Sequence, residues 1–155
     1  MKQLKDILYS VQPLQLTGDT SVSVTGLYID SRKVDKGSLF IAVKGTQADG
    51  HGYIDKAIDQ GAVAIVAEIL PANKREGITY IEVKDSAAVV GVMADAFYGG
   101  PSEKMKVIGI TGTNGKTTVA TLLYQLFEGL GYKCGLISTV QNHIHDKIVP
   151  ATHTT

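Results

Sequence analysis

MKVIGITGTNGKTT, residues 105–118, joins an apolar run to a glycine-rich loop and then to a helical pattern. The run MKVIGI predicts a strand, and apolar side chains recur at helical spacing after Lys116. These side chains are Val119, Leu122, Leu123, Leu126, Phe127 and Leu130. The next apolar stretch, CGLISTV, predicts a second strand. The whole segment is therefore expected to form one right-handed βαβ unit.

The loop between the predicted strand and helix has the composition of a phosphate-binding loop. Gly112 and Gly115 let the backbone turn sharply and approach a ligand, and a helix N-terminus favours negative charge. Lys116 would reach the β- and γ-phosphates of a nucleotide, and the Thr117 hydroxyl would ligate Mg²⁺. The general pattern has a further glycine where this chain has Ile110. The alternative interpretation is a tight turn whose lysine is merely solvated.

The preceding residues alternate strand and helix patterns, as an α/β domain with a largely parallel sheet does. The predicted strands are VTGLYIDS, KGSLFIAVKG, AVAIVAE and ITYIEV. Helices are predicted from Leu4, in YIDKAIDQGA and after Asp85, a good N-cap. GGPSEK interrupts both patterns and predicts a domain boundary. We expect a small N-terminal domain at residues 1–101 and an incomplete second domain at residues 102–155, because one βαβ unit has too few strands to be stable alone.

The composition is that of a globular protein, with 44% hydrophobic and 19% charged residues. Lys plus Arg and Asp plus Glu both total 15, so no nucleic-acid or membrane partner is expected. The N-terminus is too short and polar for a signal peptide, and no run is long enough to span a membrane, so a cytoplasmic location is the default. The single cysteine, Cys134, is expected to be a buried small hydrophobic residue rather than a nucleophile.

GITGTNGKTT, residues 109–118, resembles the ATP loop of the ATP-dependent Mur ligases of peptidoglycan synthesis. IDSRKVDKGSLFIAVKGTQADGHGYIDKAIDQGA, residues 29–62, is similar to the first domain of two members of that family. The tail, ISTVQNHIHDKIVPATHTT, is more like the member that adds a diamino acid. The resemblance covers essentially all 155 residues, but a whole ligase is much longer, so the chain is expected to be its N-terminal part.

The resemblance implies an amide-forming ligase that serves cell-wall biogenesis, cell shape and cell division. ATP would phosphorylate the D-Glu γ-carboxyl of UDP-MurNAc-L-Ala-D-Glu, and a diamino acid, meso-diaminopimelate or L-lysine, would attack the acyl phosphate. Lys116 is the expected catalytic residue, and ATP and Mg²⁺ are the expected cofactors, with Thr117 on the metal. The ATP contacts would come from Gly112, Thr113, Asn114, Gly115, Lys116, Thr117 and Thr118. The diamino-acid site would lie outside this chain, so the chain alone is expected to be inactive.

The same resemblance assigns the UDP-linked substrate to three segments. They are Ile29 and Ser31; Thr46, Gln47 and Ala48; and His153, Thr154 and Thr155. Gln47 has amide donor and acceptor atoms suited to a uracil edge. For Asp30 and Arg32, an ion pair that orders the loop is an equally good interpretation.

The remaining histidines give weaker signals. His51 is expected to be a turn residue that hydrogen-bonds locally rather than a catalytic base. His143 and His145 share one face of a predicted β excursion, but they lack the cysteine or carboxylate neighbours of a metal site.

Two other functions stay open: the related ligase that acts on the UDP-MurNAc-tripeptide, and a non-catalytic UDP-sugar or nucleotide-binding module.

Overall fold

The structure is a computed structural model that describes residues 1–45, 48–144 and 147–150. The chain divides into two compact units, Met1–Lys106 and Val107–Thr155, which we describe separately. Among the described residues, no helix combines the length and apolar character that crossing a membrane requires.

The first unit contains short strands, three α-helices and single 3₁₀ turns. Its strands are β1 (Lys2–Gln3), β2 (Gln15–Thr17), β3 (Ser23–Val24), β4 (Leu27–Tyr28), β5 (Leu39–Ile41), β6 (Ala64–Ala67) and β7 (Thr79–Glu82). Its α-helices are α1 (Leu4–Ile7), α2 (Ile54–Asp59) and α3 (Ser86–Tyr98). The 3₁₀ turns are Ser31–Lys33, Gly50–Tyr53 and Pro101–Lys104.

A five-stranded sheet with the order β2-β7-β6-β5-β4 organises this unit. The four strands from β7 to β4 are parallel, and β2 is antiparallel to β7, with Gln15 opposite Glu82. Strands β1 and β3 form a separate antiparallel pair. The expected α/β class with a mostly parallel sheet is confirmed. The unbroken apolar run in β6 is buried at every position, as a strand covered on both faces requires.

Helices cover both faces of the sheet. Alternate residues of β5 and β6 belong to different hydrophobic clusters, because successive side chains of a strand point to opposite faces. One cluster contains Leu4 of α1 and Met93 of α3, and the other contains Ile54 and Ala57 of α2. Because β4, β5, β6 and β7 run parallel, the loops that follow their carboxyl ends lie at one edge of the sheet.

Helix α3 begins and ends where its sequence predicts. The Asp85 Oδ1 accepts a hydrogen bond from the Ala88 N–H at 2.9 Å, which satisfies one of the free donors of the first turn. Gly99 then adopts a left-handed conformation, with φ of +82°, and ends the helix.

Two strand predictions in this unit need correction. VTGLYIDS forms two short strands, β3 and β4, rather than one, because the chain passes from one sheet to the other at Thr25 and Gly26. The Thr25 N–H donates to the Gly37 carbonyl there, and the Gly26 carbonyl accepts from Leu39. Strand β2, in contrast, lies in a stretch without a clear alternating pattern and was not predicted.

The second unit contains α4 (Lys116–Gly129), β8 (Gly135–Leu136), β9 (Gln141–Ile144) and β10 (Lys147–Pro150). The strands form an antiparallel sheet with the order β10-β9-β8, so the predicted β excursion is confirmed.

The expected first strand of the βαβ unit is not formed. Residues 106–110 are assigned to no strand, and Val107 and Ile108 are 75% and 58% exposed. An apolar run becomes a strand only where neighbouring strands satisfy its backbone groups, and no described strand pairs with this one. Cys134 is half-buried rather than buried, because CGLISTV contributes only the two residues of β8 to a strand.

Candidate functional site

The glycine-rich loop leads directly into α4. Gly115 is the residue before the helix and has φ of +76°, and Gly112 has φ of +149°, so both lie in the region that favours glycine. A Cβ at Gly115 would meet no atom within 4 Å, so the backbone angle alone demands glycine there. The loop is therefore shaped by its backbone and leaves open space beside it.

The N-termini of α3 and α4 differ in how their first N–H groups are satisfied. The carboxylate of Asp85 caps α3, whereas Gly115 offers α4 no side-chain cap. The first four N–H groups of any α-helix lack an acceptor within the helix, and the helix dipole favours negative charge there. A phosphate can therefore take at α4 the place that a carboxylate takes at α3.

The Lys116 side chain folds back over this loop. Its Nζ donates hydrogen bonds to the carbonyl oxygens of Gly112 at 2.6 Å and of Thr113 at 3.4 Å. Both acceptors are neutral carbonyls, so phosphate oxygens placed at the helix N-terminus would compete well for the ammonium group. Thr117 follows in the first turn and is half-buried.

The loop contains hydroxyl oxygens of the kind that hard cations accept as ligands. The Thr117 hydroxyl is the donor type that Mg²⁺ accepts, and Mg²⁺ usually keeps phosphate and water ligands besides. Among the described residues, no group of three or more His, Cys, Asp or Glu side chains could hold a metal ion by itself. The Thr117 hydroxyl therefore fits one ligand position of a Mg²⁺ whose other ligands are phosphate and water.

In the first unit, the predicted substrate residues Ile29 and Ser31 follow the carboxyl end of β4. Ile29 is 46% exposed, and Ser31 is buried at the start of a 3₁₀ turn. The Arg32 guanidinium contacts the Asp30 carboxylate at 2.8–3.3 Å, and the Arg32 N–H also donates to it. These hydrogen bonds lower the pKa of Asp30 to about 2. Asp30 and Arg32 therefore form the ion pair that orders this turn.

A second turn follows β5 and folds back on the chain that leads to it. The Gly45 N–H donates to the Ala48 carbonyl at 2.9 Å, and the Gly50 N–H donates to the Val43 carbonyl at 2.9 Å. Ala48 is exposed. Thr46 and Gln47, two of the predicted substrate contacts, lie outside the described residues.

Strand pairing brings these two turns to the same edge of the sheet. Strands β4 and β5 are parallel neighbours, with Tyr28 opposite Phe40, so their carboxyl ends are adjacent. Ligands of open α/β sheets bind at that edge. The turn with Ile29 and Ser31 and the turn with Ala48 therefore follow adjacent strand ends at the same edge of the sheet.

The prediction for His51 was incomplete. The local hydrogen bond is present, because its ring Nδ1 lies 2.6 Å from the Asp49 Oδ1. In addition, its Nε2 accepts the N–H of Glu68, the residue directly after β6, at 3.1 Å. The Glu68 carboxylate in turn accepts from the N–H and the hydroxyl of Ser86. Sequence reasoning did not identify Glu68, because no local pattern links it to a residue 17 positions earlier.

In the second unit, His143 lies in β9 with its Nε2 2.9 Å from the Gln141 Nε2, and its ring centroid is 5.1 Å from that of Tyr124. His145 and the predicted substrate contacts His153, Thr154 and Thr155 lie outside the described residues.

The sequence matches family models on both sides of the unit boundary. Residues 23–98 match the model described as Mur ligase family, catalytic domain, and residues 110–155 match the Mur ligase middle domain. The chain belongs to the Mur ligase family.

Its similar relatives are named UDP-N-acetylmuramoyl-L-alanyl-D-glutamate--2,6-diaminopimelate ligases. The relative from Bacteroides fragilis is 56% identical over 153 residues, and that from Cytophaga hutchinsonii is 54% identical over 154 residues. Each alignment covers 99% of this chain and 32% of the relative. The chain thus spans about a third of the length of the curated relatives it matches.

Solved structures agree on the fold. A ligase structure of the same name as those relatives aligns over 99% of this chain and 31% of its own, with a TM-score of 0.72 and 24% identity. The MurF ligase of Thermotoga maritima, solved in complex with ADP, is 33% identical and covers 70% of this chain and 24% of its own, with a TM-score of 0.53.

Proposed function

We propose that this chain is the N-terminal part of an ATP-dependent ligase that adds a diamino acid to UDP-MurNAc-L-Ala-D-Glu in peptidoglycan precursor synthesis. The observation that carries the proposal is the loop at residues 111–118, where α4 begins at Gly115 without a side-chain cap and the exposed Lys116 folds over the loop backbone. The names of the relatives supply the reaction, and of the two expected diamino acids they favour diaminopimelate over L-lysine.

On the nucleotide side, the backbone N–H groups at the start of α4 would hold phosphate oxygens. Lys116 would leave the carbonyls of Gly112 and Thr113 and place its charge beside the transferred phosphoryl group, where negative charge has to be stabilised. Thr117 would supply one ligand to Mg²⁺, which neutralises phosphate charge when it is bound. The other proposed ATP contacts are Gly112, Thr113, Asn114, Gly115 and Thr118.

On the substrate side, the carboxyl edge of the parallel sheet would hold the uridine diphosphate. Ile29 offers an exposed apolar surface, Ser31 a hydroxyl, and Ala48 an exposed backbone turn. Thr46 and Gln47 would complete this site, and His153, Thr154 and Thr155 would contact the peptide portion. The proposed division is a UDP-substrate domain at residues 1–101 and the beginning of an ATP-binding domain at residues 102–155, acting in the cytoplasm.

A calorimetric titration of this chain tests the proposal. The ligands are UDP-MurNAc-L-Ala-D-Glu, the corresponding tripeptide form and UDP. We expect the dipeptide form to bind more tightly than the other two. Equal binding of all three would contradict the dipeptide specificity and leave only a uridine diphosphate pocket. No binding of any of them would refute the assignment of a substrate site to this chain.

A further inference from the structure

The imidazole of His51 is held on both ring nitrogens. Its side chain is only 16% exposed, and it lies between the Asp49 carboxylate and the backbone of Glu68. The contact with Asp49 lies within one turn, whereas the contact with Glu68 joins two segments of the sheet edge. His51 is therefore a link between the turn after β5 and the end of β6.

These contacts define which nitrogen carries the proton. A backbone N–H can only donate, so the Nε2 that faces the Glu68 N–H at 3.1 Å must present a lone pair. The proton of the neutral ring is then on Nδ1, where it donates to the Asp49 Oδ1 at 2.6 Å. The same carboxylate oxygen accepts the His51 backbone N–H at 2.9 Å. Asp49 thus fixes both the tautomer and the orientation of the ring.

The hydrogen bond between Glu68 and His51 helps to hold the turn that contains Ala48. Residues 48–51 return toward their own strand through the Gly50 N–H, which donates to the Val43 carbonyl. That bond fixes the turn against β5, and the His51 ring fixes it against β6. On the β6 side, Glu68 is itself held by Ser86 at the start of α3. The position of the turn along the sheet edge therefore depends on the His51 ring.

We propose that His51 is a positioning residue for the UDP-linked substrate, and that its Nδ1–H imidazole holds the 48–51 turn at the carboxyl edge of the sheet. The inference rests on the proposed function, which places the uridine diphosphate at that edge. His51 acts through the turn and touches no reacting atom.

Two substitutions separate the two ring contacts. His51→Gln places an amide oxygen near the position of Nε2, so it retains an acceptor for the Glu68 N–H. His51→Asn has polar atoms only near Nδ1 and loses that acceptor. UDP binding to the 155-residue chain is measured by calorimetry, with Asp55→Asn as an exposed control in the same unit. Loss of one net hydrogen bond predicts about fivefold weaker UDP binding for His51→Asn, whereas His51→Gln and the control stay within about twofold of the unchanged chain.

A second measurement does not depend on how well the variants fold. Long-range ¹H–¹⁵N NMR spectra of the unchanged chain distinguish a protonated Nδ1 from a protonated Nε2, and we expect the Nδ1–H form. An Nε2–H ring would overturn the inference, as would unchanged UDP affinity in His51→Asn. If the unchanged chain does not bind UDP, the proposed function itself is refuted. If the unchanged chain binds UDP and His51→Asn binds it equally well, only the role of His51 is refuted.

Discussion

Replacement of Gly50 by alanine should destabilise the first unit through a backbone clash. A Cβ at this position would lie 2.7 Å from both the N and the O of Val43 and 3.1 Å from the carbonyl carbon of Ala42. All three atoms are backbone, so no side-chain rotation can relieve the contact. The hydrogen bond from the Gly50 N–H to the Val43 carbonyl would also have to lengthen.

The expected cost of Gly50→Ala is about 1–3 kcal/mol in the free energy of unfolding, typical of overpacking at a site that cannot relax. For a domain of this size, that cost lowers Tm by roughly 5–15 °C. Gly52 provides a matched control in the same 3₁₀ turn, because a Cβ there would meet no atom within 4 Å. Gly52→Ala should leave Tm unchanged or raise it slightly, because alanine reduces the entropy of the unfolded chain.

The assay has to report on the first unit alone, since the chain has two units and need not unfold in one step. Amide NMR signals of Ile65 and Val66, buried in β6, provide such a probe during heating. If the two alanine variants unfolded at the same temperature, the close approach of Gly50 to Val43 would be refuted, and with it the account of how the turn is held.

Three further predictions concern the charged residues of the two units. If the proposed function holds, Lys116→Ala in the full-length ligase should lower the turnover rate by about a hundredfold or more and leave binding of the UDP-linked substrate nearly intact. The exposed Lys133→Ala is the control. If Lys116→Ala lost affinity for the UDP-linked substrate and kept its turnover rate, the assignment of Lys116 to ATP would be refuted. In the first unit, Arg32→Gln should raise the pKa of Asp30 from about 2 toward its ordinary 3.8, whereas Lys33→Gln should change it little, as an NMR titration of the carboxyl carbon would show. Because the pKa of Asp30 is lower in the folded chain than in the unfolded chain, its contribution to stability is present above about pH 4 and is lost as pH falls through about 2. Asp30→Asn should therefore make the free energy of unfolding less dependent on pH in the acid range. If Asp30→Asn lost stability at low pH as steeply as the unchanged chain, the contribution of Asp30 would be refuted.

The sequence predicted those parts of the fold that depend on local patterns. The unbroken run in β6, the Asp85 cap and the glycine stop at Gly99 each act within a few residues, and all three are present. Strand β2 was missed because its pairing with β7 depends on residues far along the chain. The run MKVIGI was wrongly predicted as a strand because its pattern carries no information about available neighbours.

The candidate site also contains some features that follow from local sequence motifs and one contact that depends on distant residues. The glycine conformations at residues 112 and 115 and the Asp30–Arg32 pair follow from short motifs, and the structure contains them. The bond between His51 and Glu68 joins segments that only the sheet brings together, so no reading of the turn by itself could predict it. The functional roles of these residues remain predictions.

The pairing of β2 with β7 also has a consequence for how the protein is made. The partner of Gln15 is Glu82, which lies 67 residues later in the chain. At synthesis rates of about 5–20 residues per second, it emerges several seconds after Gln15. Until then, β2 has no strand to pair with, whereas β4, β5 and β6 can associate in the order of their synthesis. During synthesis on the ribosome, the amides of β2 should therefore become protected from exchange only after β7 has emerged, later than those of β4 and β5.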